Sequence, residues 1–308
     1  MNIYKLLRRE LRTPRYWLKY KKSINFGPKI EVLDLFESVR ILKQGTSLSR
    51  FGDGEFRILT QNGEAIGFQK HSDVLAQRLI QVLNIPKKNH TVALPGPFSR
   101  SLFEMNNDAR SFWIGALSES GSQWKSALNF AIWNDRQTLN TQITRPYMDY
   151  KKKFFYNDIA NAIFNEFKIL WKNKQVLIVE GEKTNFGYDN DLLGTAAEVS
   201  KIIVPSKNAY SKYEQILELT RETIKTYDKK NLIVLLAIGP TATVLSYDLA
   251  DNGFQVIDIG HLDVEYQWYL MQAKKKTPLE NRTVNEVSDS QFNKIANYNQ
   301  FKILGRIE

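Results

Sequence analysis

Six short runs rich in aliphatic and β-branched residues, Ser47–Phe51, Thr91–Leu94, Gln175–Glu180, Lys201–Val204, Leu232–Ile238 and Gln255–Ile259, alternate with longer stretches of helical spacing. Strands this apolar must be covered on both faces, and helices placed between them in the chain can do so only around a parallel sheet. The pattern predicts an α/β fold. Helical spacing is clearest at Lys29–Lys43, Asp73–Leu83, Ser122–Trp133, Asp158–Trp171, Tyr213–Tyr227 and Thr241–Asn252. Within "GSQWKSALNFAIWND", Trp124, Leu128 and Ile132 recur every four residues, the spacing of a core-facing stripe. The 308 residues show no repeat, low-complexity tract or Gly/Ser linker, so residues 26–308 read as one domain behind a 1–25 extension.

The loops at the carboxyl ends of the predicted strands carry the chemistry. The stretches are "GDGEF", "PGPFSR", "GEKTNFG", "PSKNAY", "GPTAT" and "GHLDVEY". Turns account for their glycine and proline, but not for the repeated charged residues. In open α/β sheets ligands bind outside the carboxyl ends of the strands, so these loops are expected to share one site.

"SRFGDGEF" places Asp53 and Glu55 two residues apart, with Gly52 and Gly54 before them and Arg50 and Arg57 on either side. If the chain stays extended beyond the strand, the two carboxylates face the same side, roughly 6.6 Å apart along the backbone. Such a pair, completed by phosphate and water, suits a small divalent cation such as Mg2+. The glycines would let a bulky ligand approach the backbone, and Arg50 would meet phosphate oxygens. An acidic turn is the plainer account, since Asp-Gly is a common turn dipeptide.

"LLAIGPTATVLSYDLADNGFQVIDIG" reads as strand, tight turn, helix and strand, with Thr241 as the expected helix cap and Asp258 near the place of a ribose-binding acid. Only Gly239 of a G-x-G-x-x-G fingerprint is present, which favours a nucleotide-like ligand at Gly239, Pro240 and Thr241 over a nicotinamide cofactor. "DIGHLDVEY" adds His261, Asp263 and Glu265, candidates for a general base or an outer metal ligand, or simply an acidic first helical turn. Glu182, Lys183 and Thr184 come after another strand, and Arg145 precedes a proline; the two cations would neutralise a diphosphate or pair with surface acids. No Walker A, H-E-x-x-H or G-x-S-x-G motif occurs, and without cysteine there is no disulfide, thiolate metal site or cysteine nucleophile.

The net charge of +10 is concentrated at one end. Residues 1–22 carry eight Lys or Arg against one Glu, which leaves about +3 for the remainder. A nucleic-acid partner, which would need basic charge spread over the body, is therefore not expected. The same segment interleaves its cations with Leu, Tyr and Trp, the pattern of a helix lying on an anionic membrane face or packed on the body. With no secretory h-region and no membrane-span-length apolar run, a cytoplasmic location is expected, with peripheral contact at the inner face of the membrane.

Taken in order, "RFGDGEF", "TRPYMD", "VEGEKTNFG", "VPSKNAY" and "AIGPTATVLSYDLADNGFQVIDIGHLDVEY" resemble the bacterial GT-D glycosyltransferases, over about residues 30 to 270. The resemblance implies a single Rossmann-like domain of mostly parallel sheet flanked by helices. It also implies a nucleotide-sugar donor, UDP-glucose or a close relative, and a carbohydrate acceptor, lipid- or protein-linked, in surface glycoprotein or polysaccharide biosynthesis. The family's D-x-E element maps onto Asp53 and Glu55, which are then expected to hold Mn2+ or Mg2+ and the donor diphosphate. The remaining expected donor contacts are Arg50, Gly52, Gly54, Arg145, Glu182, Lys183, Thr184, Gly239, Pro240, Thr241 and His261, with Asp263 or Glu265 as base. The competing readings are a metal-dependent phosphohydrolase, for which paired acids and a cation serve equally well, and a nucleic-acid-binding protein.

Overall fold

The structure is a computed structural model describing residues 16–60, 66–151, 154–280, 282–284, 287 and 301–308. Its nine strands are β1 (Ile30–Val32), β2 (Ser47–Arg50), β3 (His90–Leu94), β4 (Arg136–Asn140), β5 (Gln175–Gly181), β6 (Glu198–Val204), β7 (Leu232–Ala237), β8 (Gln255–Asp258) and β9 (Lys302–Arg306). They form one sheet in the order β1-β4-β3-β2-β8-β7-β5-β6-β9, and every pairing is parallel.

The strands alternate their side chains between two apolar layers. In β5 and β7, Leu177, Val179, Leu232, Val234 and Leu236 face a layer that holds Leu79, Leu117, Trp124, Ile216 and Leu245. Val176, Ile178, Ile233 and Leu235 face the other layer, which holds Val39, Leu42, Phe164, Phe167 and Trp268. Helices Asp73–Asn84, Asn107–Ser126, Tyr213–Ile224 and Pro240–Leu249 thus cover one face, and Leu35–Leu42, Phe154–Leu170 and Leu262–Leu270 the other.

All six expected strands are present within one to three residues. The predicted helix Lys29–Lys43 is instead a strand and a shorter helix: Asp34 accepts the Glu37 amide while Glu37 reaches back to the Asp34 amide, a capping box that starts the helix at Leu35. Helix Asn107–Ser126 begins well before the predicted Ser122, and a cap at Asn129 separates it from Phe130–Trp133. Trp124 and Leu128 are buried and Ile132 is half-buried against the same layer, although the break between the two helices means that they do not form one continuous helical stripe.

Residues 16–24 are helical and pack on helix Asn107–Ser126; the rest of the 1–22 segment lies outside the described residues. Ser118 Oγ donates to the Tyr16 carbonyl and Lys125 Nζ to the Ile24 carbonyl, both at 2.6 Å. Gly121 permits the approach, since a Cβ there would sit 2.1 Å from Ser23 Oγ. The contact is made through Tyr16, Tyr20 and Ser23 rather than leucine: Tyr20 is buried and Leu18 is 70% exposed.

Buried His90 anchors the start of β3. Ser49 Oγ donates to the Thr243 carbonyl at 2.6 Å, so at 2.7 Å it accepts from His90 Nε2, which therefore carries a proton. Burial, reinforced by Lys87, lowers the ring's pKa from 6.5 to about 3. Between those values the unfolded chain binds a proton that the folded chain refuses, so this group makes stability fall as pH is lowered through that window. Urea unfolding of His90→Gln across the same range should show a shallower pH slope than that of the parent protein.

Candidate functional site

By the topology of the sheet, the crevice expected at the carboxyl ends of an open α/β sheet falls between β2 and β8. β2 and β8 are neighbours, with Leu48 opposite Ile257. The chain leaves β2 through helix Asp53–Thr60 towards β3 on one side, and leaves β8 through helix Leu262–Leu270, which packs on the opposite face. Where neighbouring strands send their connections apart, the carboxyl ends are left uncovered and a ligand can enter.

The "GDGE" stretch opens this crevice but is not extended. Asp53 is the first residue of an eight-residue helix, so Asp53 and Glu55 are ~200° apart about its axis rather than on one side. Glu55 Oε2 accepts the Gly52 amide at 2.8 Å, the half of a capping box that an acid at the third helical position supplies. Neither Gly52 nor Gly54 has positive φ. A Cβ at Gly52 would lie 3.2 Å from Glu55 Oε2, and one at Gly54 3.4 Å from Ile66 Cδ1. Gly52 therefore leaves room for the Glu55 carboxylate to reach its own amide, rather than for an unusual backbone angle.

Glu55 shares its environment with Arg50 and Asp258. Burial, then the nearby Asp258 carboxylate, raises the Glu55 pKa from 4.5 to about 7, against the pull of the Gly52 amide and Arg50. Burial also raises Asp258. Asp258 accepts the Arg50 amide at 3.4 Å and Arg50 Nη1 at 3.5 Å, while Thr243 Oγ1 donates to Asp258 at 3.2 Å or to the Arg50 carbonyl at 3.0 Å. The acid expected near a ribose thus serves as a partner for Arg50. Arg50 Nε is buried with no hydrogen-bond partner among the described residues. Gly260, at φ +50°, closes over the guanidinium so tightly that a Cβ would lie 1.8 Å from Nη1.

The next strand, β7, leads into helix Pro240–Leu249. The cap is Gly239 at φ +60°, and it makes no side-chain hydrogen bond; Thr241 lies inside the first turn, not at the cap expected from sequence. Thr241 Oγ1 is buried and unpartnered among the described residues. A Cβ at Gly239 would meet Phe68 Cε2 at 2.4 Å, so the short Ile66–Gln69 turn lies over the start of this helix. The orphan hydroxyl, the helix amides and Pro240, which has no amide to satisfy, together form an anion-favouring end.

The other candidates are held by the protein itself. Asp263 pairs with Arg282 and accepts the Gly187 amide at 2.9 Å and Asn190 Nδ2 at 2.8 Å. Glu265 accepts the Tyr147 and Met148 amides at 3.0 and 2.7 Å, and lies 4.0 Å from Arg145 Nη2. Burial raises the Glu265 pKa to about 7, while Arg145 opposes the shift. Both carboxylates are buried in the helix that comes after β8, and each fastens a neighbouring loop to it. Arg145 also bonds Asp149, 3.3 Å away. Glu182 and Lys183 are exposed beyond β5, with Thr184 half-buried beside them and His261 half-buried at the cap position of helix Leu262–Leu270.

Three charges absent from the sequence-based site, Lys201, Glu180 and Arg282, dominate the loop beyond β5. Lys201, in β6, is almost wholly buried, with Glu180 at 2.7 Å and the Phe186 carbonyl at 2.8 Å. Glu180 also accepts the Phe186 amide at 2.7 Å, and Arg282 donates to the Tyr188 carbonyl. Consecutive residues Phe186, Gly187 and Tyr188 are thereby gripped by four buried charges. The only sequence signal for this was a lysine inside an otherwise apolar strand.

Among the described residues no group of three or more His, Asp or Glu is arranged to hold a metal. Asp53, at the helix start, meets the weaker requirement of one carboxylate for a small divalent cation that arrives with a diphosphate, whereas Glu55 is turned ~200° away and engaged by the Gly52 amide.

Comparison with known proteins agrees with this architecture. The family model described as "Glycosyltransferase GT-D fold" matches residues 48–287. A probable glycosyl transferase of Streptococcus gordonii is 34% identical over 84% of this chain, and a glycosyltransferase of Streptococcus pneumoniae is 32% identical over 80%. The aligned regions span 36% and 28% of those longer proteins. A solved domain described as having a distinct glycosyltransferase fold superposes with a TM-score of 0.81 at 33% identity, covering 95% of this chain and 100% of its own. A glycosyltransferase structure from Streptococcus sanguinis gives 0.79 at 32% identity, over 91% of this chain and all of the other. With its parallel sheet, its acidic helix start at the β2/β8 crevice and a family match over most of its length, this chain belongs to the GT-D-fold glycosyltransferases.

Proposed function

We propose that the crevice between β2 and β8 transfers a sugar, glucose as the expected one, from a UDP-sugar to a hydroxyl of a carbohydrate acceptor used in surface glycoprotein or polysaccharide synthesis. The observation that carries this reading is the juxtaposition at one carboxyl edge of Asp53 and Glu55 with an arginine whose Nε is buried and unpartnered.

In the reaction the acceptor oxygen bonds to the anomeric carbon, the bond from that carbon to the diphosphate oxygen breaks, and the nucleotide leaves with the electron pair. Mn2+ or Mg2+ held through Asp53, on the helix start that Glu55 fixes, would stabilise the negative charge on that leaving group. Arg50, aimed by Asp258 and confined by Gly260, meets the diphosphate, and the Gly239–Thr241 end of its helix receives a second phosphate oxygen. Lys183 and Thr184 flank the sugar from the loop beyond β5. The acceptor proton goes to His261 in an inverting reaction: of the three candidates beyond β8 it alone is not buried, whereas Asp263 and Glu265 position their helix.

Purified protein titrated with a panel of nucleotide sugars, with and without Mn2+, tests the reading. Metal-dependent stabilisation by UDP and release of UDP from one sugar donor are expected. Silence towards every nucleotide would refute it, and phosphate release without sugar transfer would favour hydrolysis. Gly260→Ala adds a sharper expectation. The left-handed backbone costs alanine about 1 kcal/mol, and the new methyl displaces the Arg50 guanidinium. UDP should then stabilise the variant at least tenfold more weakly by titration, and its own melting temperature should fall as the Arg50–Asp258 pair is loosened while the protein remains folded.

A further inference from the structure

We infer that the outward face of helix 16–24 is a docking surface for an anionic lipid bilayer. At ~100° per residue, Tyr16, Tyr20, Ser23 and Ile24 share one side and meet the body. The rest of the circumference, centred on Leu18 and Lys22 and bordered by Trp17 and Lys19, presents Trp17, Leu18, Lys19, Lys21 and Lys22, all exposed, with Leu18 70% and Trp17 42% accessible. Phe26, just beyond the helix, is 46% exposed. The anchoring is firm, with Tyr20 buried, Lys125 donating to the last turn and Gly121 admitting Ser23, so this face is presented in a fixed orientation.

The chemistry of the face selects among occupants. A helix that only met water would have no use for an exposed Leu-Trp pair, and a protein interface would disfavour three lysines at its centre. A bilayer surface accommodates both: indole and leucine enter the headgroup region while the lysine stems lie along the apolar boundary with their ammonium groups in the phosphate layer. Lys21 Nζ already lies 5.0 Å from the centre of the Trp17 ring, so cation and indole form one unit. No Asp or Glu occurs between Tyr16 and Lys29, which leaves the charge of the face uncompensated within its own segment. Among the described residues no helix is long and apolar enough to cross a membrane, so the contact is peripheral. This inference does not depend on the sugar-transfer reading.

Co-sedimentation of the full chain with vesicles tests it. The protein should pellet with vesicles containing phosphatidylglycerol, remain in solution with pure phosphatidylcholine, and release as salt is raised. Lys21→Glu together with Lys22→Glu should weaken partitioning at least 25-fold, about fivefold for each charge lost. Trp17→Phe should abolish most of the fluorescence quenching by brominated lipids, because the other tryptophans lie elsewhere in the fold. These side chains are exposed, so unchanged melting temperatures will show that the variants fold. No pelleting, equal pelleting with neutral lipid, wild-type binding by the lysine variant, or quenching retained in Trp17→Phe would each overturn the proposal.

Discussion

Lys201→Ala should destabilise the protein by about 3–5 kcal/mol, the usual cost of removing one partner from a buried ion pair. Glu180 and Lys201 are 0% and 1% exposed, 2.7 Å apart, and both also bind Phe186. Without the ammonium, a carboxylate is stranded in the interior and the Phe186 carbonyl loses its donor. Burial pulls the Lys201 pKa down and Glu180 pushes it back up, so the pair is stable only as a pair. For a chain of this size the loss corresponds to roughly 5–8 °C in melting temperature. The double variant Glu180→Leu/Lys201→Met should recover much of that loss, because it removes both desolvation penalties together. If the single variant melts within a degree or two of the parent, the pair contributes little to the fold. If the double variant is as unstable as the single, the cost lies in the lost grip on Phe186 rather than in stranded charge.

Asp53→Asn should lower sugar transfer by about 10²–10³-fold while leaving the fold intact, which is the scale seen when a group stabilising charge at the reacting centre is removed. The side chain is half-buried in the first helical turn, where exchanging a carboxylate for an amide costs about 0.3–1 kcal/mol through the helix dipole. Glu55→Gln is the informative companion. Glutamine keeps an oxygen for the Gly52 amide, so the helix start survives and any loss of turnover reports the missing charge. Single-turnover rates with a UDP-sugar and Mn2+, beside melting curves, separate the two effects. A fully active Asp53→Asn protein would remove the cation role from this residue, and loss of activity accompanied by unfolding would make the motif structural.

Asp53 and Lys201 stand at opposite ends of what can be read before folding. Asp53 stands out because strand, glycine and carboxylate are neighbours in the chain. The Lys201–Glu180 pair joins residues on adjacent strands, separated in the chain by the loop between them, and a lysine in the apolar run "SKIIV" does not by itself say which residue it meets. The D-x-E stretch also shows how a motif legible in the sequence can carry incorrect geometry. Extended and helical continuations of β2 are equally compatible with "GDGEF", and the capping bond from Glu55 to Gly52, made possible by a glycine without a side chain, selects the helix. Likewise "HLDVEY" pointed to a cluster of acids at the site, whereas the helix turns Asp263 towards Arg282 and Glu265 towards the Tyr147 and Met148 amides.

The sequence by itself determined the fold class and the edge of the sheet where chemistry gathers, because both arise from local signals: continuous apolar runs for doubly covered strands, and glycine, proline and charge where each run ends. It assigned β1 to a helix and left β4 and β9 unmarked, since "IEV", "RQTLN" and "KILGR" are short or polar and become strands only beside neighbours that complete their hydrogen bonds. Only the tertiary structure decided that β2 lies beside β8, which joins Arg50 to Asp258 across 208 residues of chain. It also decided which carboxylates face a crevice and which are spent on holding loops. Long-range pairing and the cost of leaving buried charge unmatched settle those questions, and neither is a property of any short stretch of sequence.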